Sequence, residues 1–220
     1  MIPLRDVIPS RTTPYVTIAL IVLNVLVFLL MPPARTGAFG DVAGAWGMTP
    51  ATFTLPSVAT AMFLHAGVPH LFSNMLFLWI FGDNVEDRLG HGRYLLFYGM
   101  CGLAAALLHV WAEAGSRVPM VGASGAVAGV LGAYIVLFPA SRVLTFAFIT
   151  VVEVPAALLI GIWFAGQLLS DLDLLAVIGP EDMGGVAFAA HAAGFVAGAA
   201  LVLLLRRPER MRAEWWDVLT

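Results

Sequence analysis

Six stretches of this chain stay apolar for close to the ~20 residues that a helix needs to cross the hydrocarbon core of a bilayer. They lie at about 14–31, 69–84, 93–112, 121–138, 155–172 and 186–205. No other feature constrains the fold as much. Hydrocarbon offers no water to backbone N–H and C=O groups, and a helix is how a single stretch satisfies them internally. Composition agrees: 60% of the residues are hydrophobic and 11% charged, against about 45–50% and 25% in soluble domains. The expected fold is therefore all-α and polytopic, with six transmembrane helices in one domain. Pro32-Pro33 stops the first helix, and Pro155 suits the opening turn of the fifth.

Arginines orient the bundle. With a cytoplasmic N-terminus the inside holds Arg5, Arg11, Arg88, Arg93, Arg142, Arg206, Arg207, Arg210 and Arg212, and the outside only Arg35 and Arg117. Nine against two is a marked positive-inside bias, so both termini are expected in the cytoplasm. The implied divisions are a cytoplasmic segment at 1–13, a six-span domain at 14–205 and a cytoplasmic tail at 206–220. The first span follows two arginines, as a secretory signal does. Its apolar run exceeds the 7–15 residues of a signal core, and it is read as a retained helix. Residues 32–68 are too long for a plain turn, and Trp46, Phe53, Met62 and Phe63 fit an interfacial segment there. Trp215 and Trp216 beside the last arginines fit an inner interfacial anchor, and Asp171, Asp173, Glu181 and Asp182 gather in an outer loop. The lone Cys101 excludes an intramolecular disulfide. A net charge of −3 without a basic patch gives no sign of a nucleic-acid partner.

Polar residues inside such spans need a reason to be there. In this topology the second, fourth and sixth spans all run inward. His70 and Asn74, Ser124, and His191 each lie a few residues from an outer end, about 5–10 Å deep at 1.5 Å per residue. Gly125 and Gly129 follow the serine, and Gly194 and Gly198 follow the histidine on its own helical face. Small-xxx-small pairs of this kind let helix backbones approach closely. Packing the fourth span on the sixth along these faces brings Ser124 to His191, where an imidazole can take the hydroxyl proton as the serine attacks a carbonyl. No carboxylate accompanies them, so the pair reads as a dyad. His70 and Asn74, four residues apart on one face, and the Ser124 backbone N–H can supply donors to an oxyanion. No His-Glu-x-x-His pattern or acidic or cysteine ligand accompanies the histidines, so neither metal nor cofactor is expected. Taken singly, Ser124 reads as a packing residue bonded to its own helix and His191 as a structural hydrogen-bonder; only their combination favours chemistry. Glu86 and Arg88, at the inner end of the second span, read as structural.

The combination resembles the rhomboid family of intramembrane serine proteases over nearly the whole chain. The matching elements are His65-x4-His70-x3-Asn74 leading to Phe81-Gly82 and Val85-Glu86, then Gly122-Ala123-Ser124-Gly125, then His191-x2-Gly194-x3-Gly198. The resemblance implies Ser124 as nucleophile, His191 as general base, and His70, Asn74 and the Ser124 amide as oxyanion hole. It implies a rhomboid-like bundle in the lipid bilayer, cutting transmembrane protein substrates in or beside their spans, in a bacterial cytoplasmic membrane with the site open to the outer side. Glu153-Val154-Pro155-Ala156 is similar to the bacterial branch, in which the fifth helix is proposed to flex for substrate entry. Two positions depart from the pattern. No Trp-Arg pair occurs in 32–68, and Ala128 stands where an aromatic four residues after the serine commonly stacks on the catalytic histidine. Either His191 is held less tightly or another side chain fills that gap. The reading from another class is a rhomboid-like protein that binds and escorts membrane proteins without cutting them. Oligomeric state is left open.

Overall fold

The computed structural model describes residues 2–33, 36–147, 149–171 and 187–207. Arg35, Arg210, Arg212, Trp215, Trp216 and the acidic Asp173, Glu181 and Asp182 lie outside them. In chain order the elements are β1 (Ile2–Asp6), α1 (Tyr15–Leu30), α2 (Gly37–Trp46), a 3-10 turn (Pro50–Thr52), α3 (Leu55–Ala61), α4 (Val68–Leu89), α5 (His91–Ala112), α6 (Ser124–Leu137), β2 (Arg142–Ala147), β3 (Thr150–Pro155), α7 (Ala156–Asp171) and α8 (Ala187–Leu205). Six of the helices fall on the six apolar stretches. Of these, α5 alone among the described residues is both long and apolar enough to cross a membrane by those measures. Helices α1 and α6 and the stretches Ala156–Gly166 and Ala189–Leu205 are apolar but shorter.

Around an apolar core, burial departs from that of a water-soluble bundle at particular positions. Leu29 and Leu30 of α1, Leu95 and Leu96 of α5, and Leu204 of α8 face outward, whereas Asn24, Asn74, Glu86, Asp87, Arg88 and His191 are buried. Hydrocarbon as solvent favours that arrangement, because apolar side chains cost nothing at its surface and polar ones need partners inside.

The centre of the bundle is α6, packed on α8, α5 and α4. Its contact with α8 is backbone to backbone. A Cβ built on Gly194 would stand 2.0 Å from the Gly125 carbonyl oxygen, and one on Gly198 would stand 2.0 Å from that of Gly129. On the other side Gly125 meets the Ala105 methyl and Gly129 meets Cys101, both on α5. No side chain fits at these crossings without separating the helices, so the glycines set the α5–α6–α8 spacing.

The expectation of an all-α fold is corrected by a three-stranded antiparallel sheet in the order β1-β2-β3. Residues 142–154 fall between the fourth and fifth apolar stretches, and the alternation in 142–147 is that of a strand: Val143, Thr145 and Ala147 point inward while Arg142 and Phe146 point out. The segment 1–13 supplies the third strand, with Ile2 opposite Phe146 and Asp6 opposite Val143, so it is part of the packed structure.

Helix α4 extends five residues past the apolar stretch, from Val85 through Glu86, Asp87 and Arg88 to Leu89, and Asp83 and Asn84 close the stretch itself. Polar residues in such a run suggest the end of a helix, yet these remain helical because they are partnered. Glu86 accepts from the backbone N–H groups of Val16 (2.9 Å) and Thr17 (2.8 Å) and from the Thr17 hydroxyl (2.7 Å). It thereby caps α1, whose own N-cap, Pro14, has no side-chain oxygen to offer. His91 Nδ1 lies 2.6 Å from the same carboxylate. Asp87 takes the Thr12 hydroxyl at 2.8 Å, and Asp83 takes that of Ser10. Asp6 of β1 accepts from Tyr134 Oη at 2.6 Å and Asn84 Nδ2 at 2.9 Å. Burial pushes the Asp6 carboxyl up to about 7, the Tyr134 hydrogen bond working against it.

Candidate active site

Ser124 opens α6. The chain reaches it through Gly122, whose φ of +126° lies in the left-handed region that glycine tolerates. Conformation and space both require glycine at this point. A Cβ here would lie 2.7 Å from the Cε1 and Nε2 atoms of His70. The approach is strapped from the other side. Met48 and Met120 exchange backbone hydrogen bonds at 3.0 and 2.8 Å, and the Gly122 N–H donates to the Ala61 carbonyl at 2.9 Å. The segment carrying α2 and α3, whose aromatic residues suit an interface, is thus what holds the serine loop in place.

The histidine arrives on α8. Its Nε2 lies 2.6 Å from Ser124 Oγ, a hydrogen-bond distance. His191 is buried, and its Nδ1 has no hydrogen-bond partner among the described residues. Among the described residues no carboxylate orients the ring. The ring packs on Trp163 of α7 in a tilted arrangement, ring centroids 5.5 Å apart and planes at 51°. Ala128, one turn beyond the serine, is fully buried and supplies no ring.

His70 and Asn74 lie on the first turns of α4. The edge of the His70 ring lies against Gly122, next to the serine. Its other face packs on His65, centroids 5.0 Å apart at 65°. Asn74, buried one turn further on, donates its amide to the His70 carbonyl at 3.0 Å. Neither His70 nor Asn74 hydrogen-bonds Ser124 among the described residues. The structure thus brings Ser124, His191 and His70 together and sets Asn74 one turn along the same face of α4. Glu86 is engaged at the other end of that helix. Trp163 is the site residue that the sequence does not single out, because a tryptophan in an apolar span carries no signal distinguishing it from lipid-facing neighbours.

Residues 52–208 match the Rhomboid domain, and the chain belongs to the rhomboid family. It is similar to Rhomboid protein 1, mitochondrial, of Saccharomyces cerevisiae, with 36% identity over 96 residues, 42% of this chain and 28% of that protein. It is also similar to Rhomboid protease GluP of Bacillus subtilis, with 39% identity over 83 residues, 38% of this chain and 16% of that protein. The matches cover well under two thirds of either relative. Membership makes this an integral membrane protein built as a helical bundle, in a family whose relatives include named proteases.

Proposed function

We propose that the protein is an intramembrane serine endopeptidase using Ser124 and His191 as a dyad on transmembrane protein substrates. The observation that carries this reading is the 2.6 Å contact between Ser124 Oγ and His191 Nε2, made by residues from separate helices and surrounded by apolar ones. In the reaction, Oγ bonds to the scissile carbonyl carbon while Nε2 accepts the hydroxyl proton. The electron pair displaced onto the carbonyl oxygen is met by donors from His70, Asn74 and the Ser124 N–H, which faces no intrahelical acceptor in the first turn of α6. His191 then returns the proton to the leaving amine, and the C–N bond breaks. Water, deprotonated by the same nitrogen, cleaves the acyl ester and regenerates the hydroxyl. Nδ1 has no carboxylate partner among the described residues, and alignment is read as resting on packing.

The bundle is read as six spans with both termini in the cytoplasm of a bacterium, and the site open to the outer side. Arginine distribution and the placement of Ser124, His191, His70 and Asn74 toward one end of their helices support this. The test is labelling by a fluorophosphonate in detergent, which reports an activated serine without a known substrate. Wild type is expected to label, with Ser124→Ala and His191→Ala silent. A folded wild type that takes no label beside an active rhomboid that does would overturn the reading and favour a binding or escort protein.

A further inference from the structure

We infer that Trp163 is the positioning residue for His191, supplying from α7 the aromatic wall that α6 lacks. The inference rests on the dyad reading above. One hydrogen bond does not fix an imidazole, because rotation about Cβ–Cγ swings Nε2 out of line while the ring stays in its pocket. His191 has that one bond, to Ser124 Oγ, and its Nδ1 has no partner among the described residues. Among the described residues, what restrains the ring is therefore its packing. Position 128 on α6 is a buried alanine, and the aromatic against His191 is Trp163, at 5.5 Å.

Trp163 is itself held on two further sides. Phe77 of α4 packs against it at 5.8 Å, and Phe164 meets it edge-on at 4.9 Å and 89°. Phe164 in turn meets Phe195 of α8 at 4.9 Å. The indole thus joins three helices, with His191 on one side and Phe77 on another. The other candidate site residues come from α4, α6 and α8, so Trp163 is the link between α7 and the dyad. Any displacement of α7 away from α4 withdraws the ring from Phe77 and from His191 together. Dyad alignment is thereby coupled to the seating of α7.

The test compares fluorophosphonate labelling rates of the full chain in detergent for wild type, Trp163→Phe and Trp163→Leu, with thermal unfolding measured alongside. Leucine fills space without a ring face; phenylalanine restores the face. Labelling of W163L is expected to fall by about 10–100-fold, the scale of a misplaced catalytic group, while W163F stays within about threefold of wild type and both unfold near the wild-type temperature. W163L labelling as fast as wild type, or faster, would overturn the inference. So would equal losses in both variants accompanied by a lowered unfolding temperature. Should W163L not fold, Phe77→Leu carries the test, since it leaves the indole but removes its brace: slowing of about threefold supports the inference, and an unchanged rate overturns it. Failure of the wild type itself to label would instead sink the dyad reading, so the two failures are distinguishable.

Discussion

The two ends of α4 treat buried polar groups in opposite ways. Glu86 follows His70 by sixteen residues, about 24 Å along the helix. At the Glu86 end the carboxylates of Asp6, Asp83, Glu86 and Asp87 all accept hydrogen bonds, and those bonds tie α1, β1 and α6 to α4. At the His70 end the imidazoles are left short: both ring nitrogens of His65, Nδ1 of His70 and Nδ1 of His191 lack partners among the described residues. A buried polar atom without a partner costs about 1–3 kcal/mol. The partnered carboxylates stabilise the bundle at one end, whereas the imidazoles at the other carry that cost.

That contrast breaks first, and by the largest factor, at Ser124. Ser124→Ala is expected to lower fluorophosphonate labelling by about 10⁴-fold or more, as loss of a nucleophile does. Its stability should fall by about 1–3 kcal/mol, because the buried His191 Nε2 loses its partner. Denaturant titration in mixed micelles measures the second quantity. A larger loss of stability in this variant would mean that the site is also structural and that the two ends do not differ in kind.

Gly198→Ala probes what joins them. The new methyl would sit 2.0 Å from the Gly129 carbonyl oxygen, so α8 has to move off α6. Overpacking of this kind costs about 1–3 kcal/mol, and a shift of even 1 Å at His191 slows labelling by about 100-fold. Both readouts should fall together. Labelling that survives a measured loss of stability would show that the glycine contact and the dyad are independent.

Much of the fold and of the candidate site is legible in the amino-acid sequence alone. Apolar length locates the helices, since a span carries its hydrogen bonds with it. The glycine spacing points to the α6–α8 face, where the backbones do meet, and Ser124 and His191 stand out because hydroxyl and imidazole are costly in hydrocarbon. What is not legible depends on distant partners. The last turns of α4 look like a helix end because Glu86 and Asp87 are charged, and partners some seventy residues earlier, Thr12, Val16 and Thr17 among them, help to keep them inside. The sheet is hidden for the same reason, its strands being joined to residues 2–6. Trp163 is hidden by its setting, since an aromatic that orients a histidine has the same composition and period as one that faces lipid.

Glu86→Gln tests the satisfied end alone. The amide keeps the shape but removes the charge facing the N-terminus of α1 and replaces one acceptor by a donor against the Val16 and Thr17 N–H groups. A cost of about 2 kcal/mol is expected, with labelling of the folded fraction within about threefold of wild type. A loss of labelling disproportionate to the loss of stability would mean that the two ends of α4 communicate.

Asp6 gives the most specific effect, because it appears as a pH dependence. Burial raises its carboxyl from 3.8 to about 7 in the folded protein, so the folded state binds this proton more tightly than the unfolded chain does. Below pH 3.8 the group is protonated in both states and its contribution to stability is fully present. That contribution is lost progressively as pH rises from about 3.8 to about 7, and changes little beyond. Above that range a carboxylate sits between Tyr134 and Asn84 with Asp83 adding like charge, and the strand β1 is the element that can leave to solvate it. Asp6→Asn removes the titration while keeping a side chain of the same shape. Unfolding followed at about pH 5 and about pH 8, on either side of the raised value, should show wild type weaker at the higher pH and the asparagine variant with a smaller difference between the two. If both change alike, Asp6 does not titrate in this range. The pH sensitivity of the satisfied end would then belong to its other acids, and β1 would be held by strand pairing rather than by a proton.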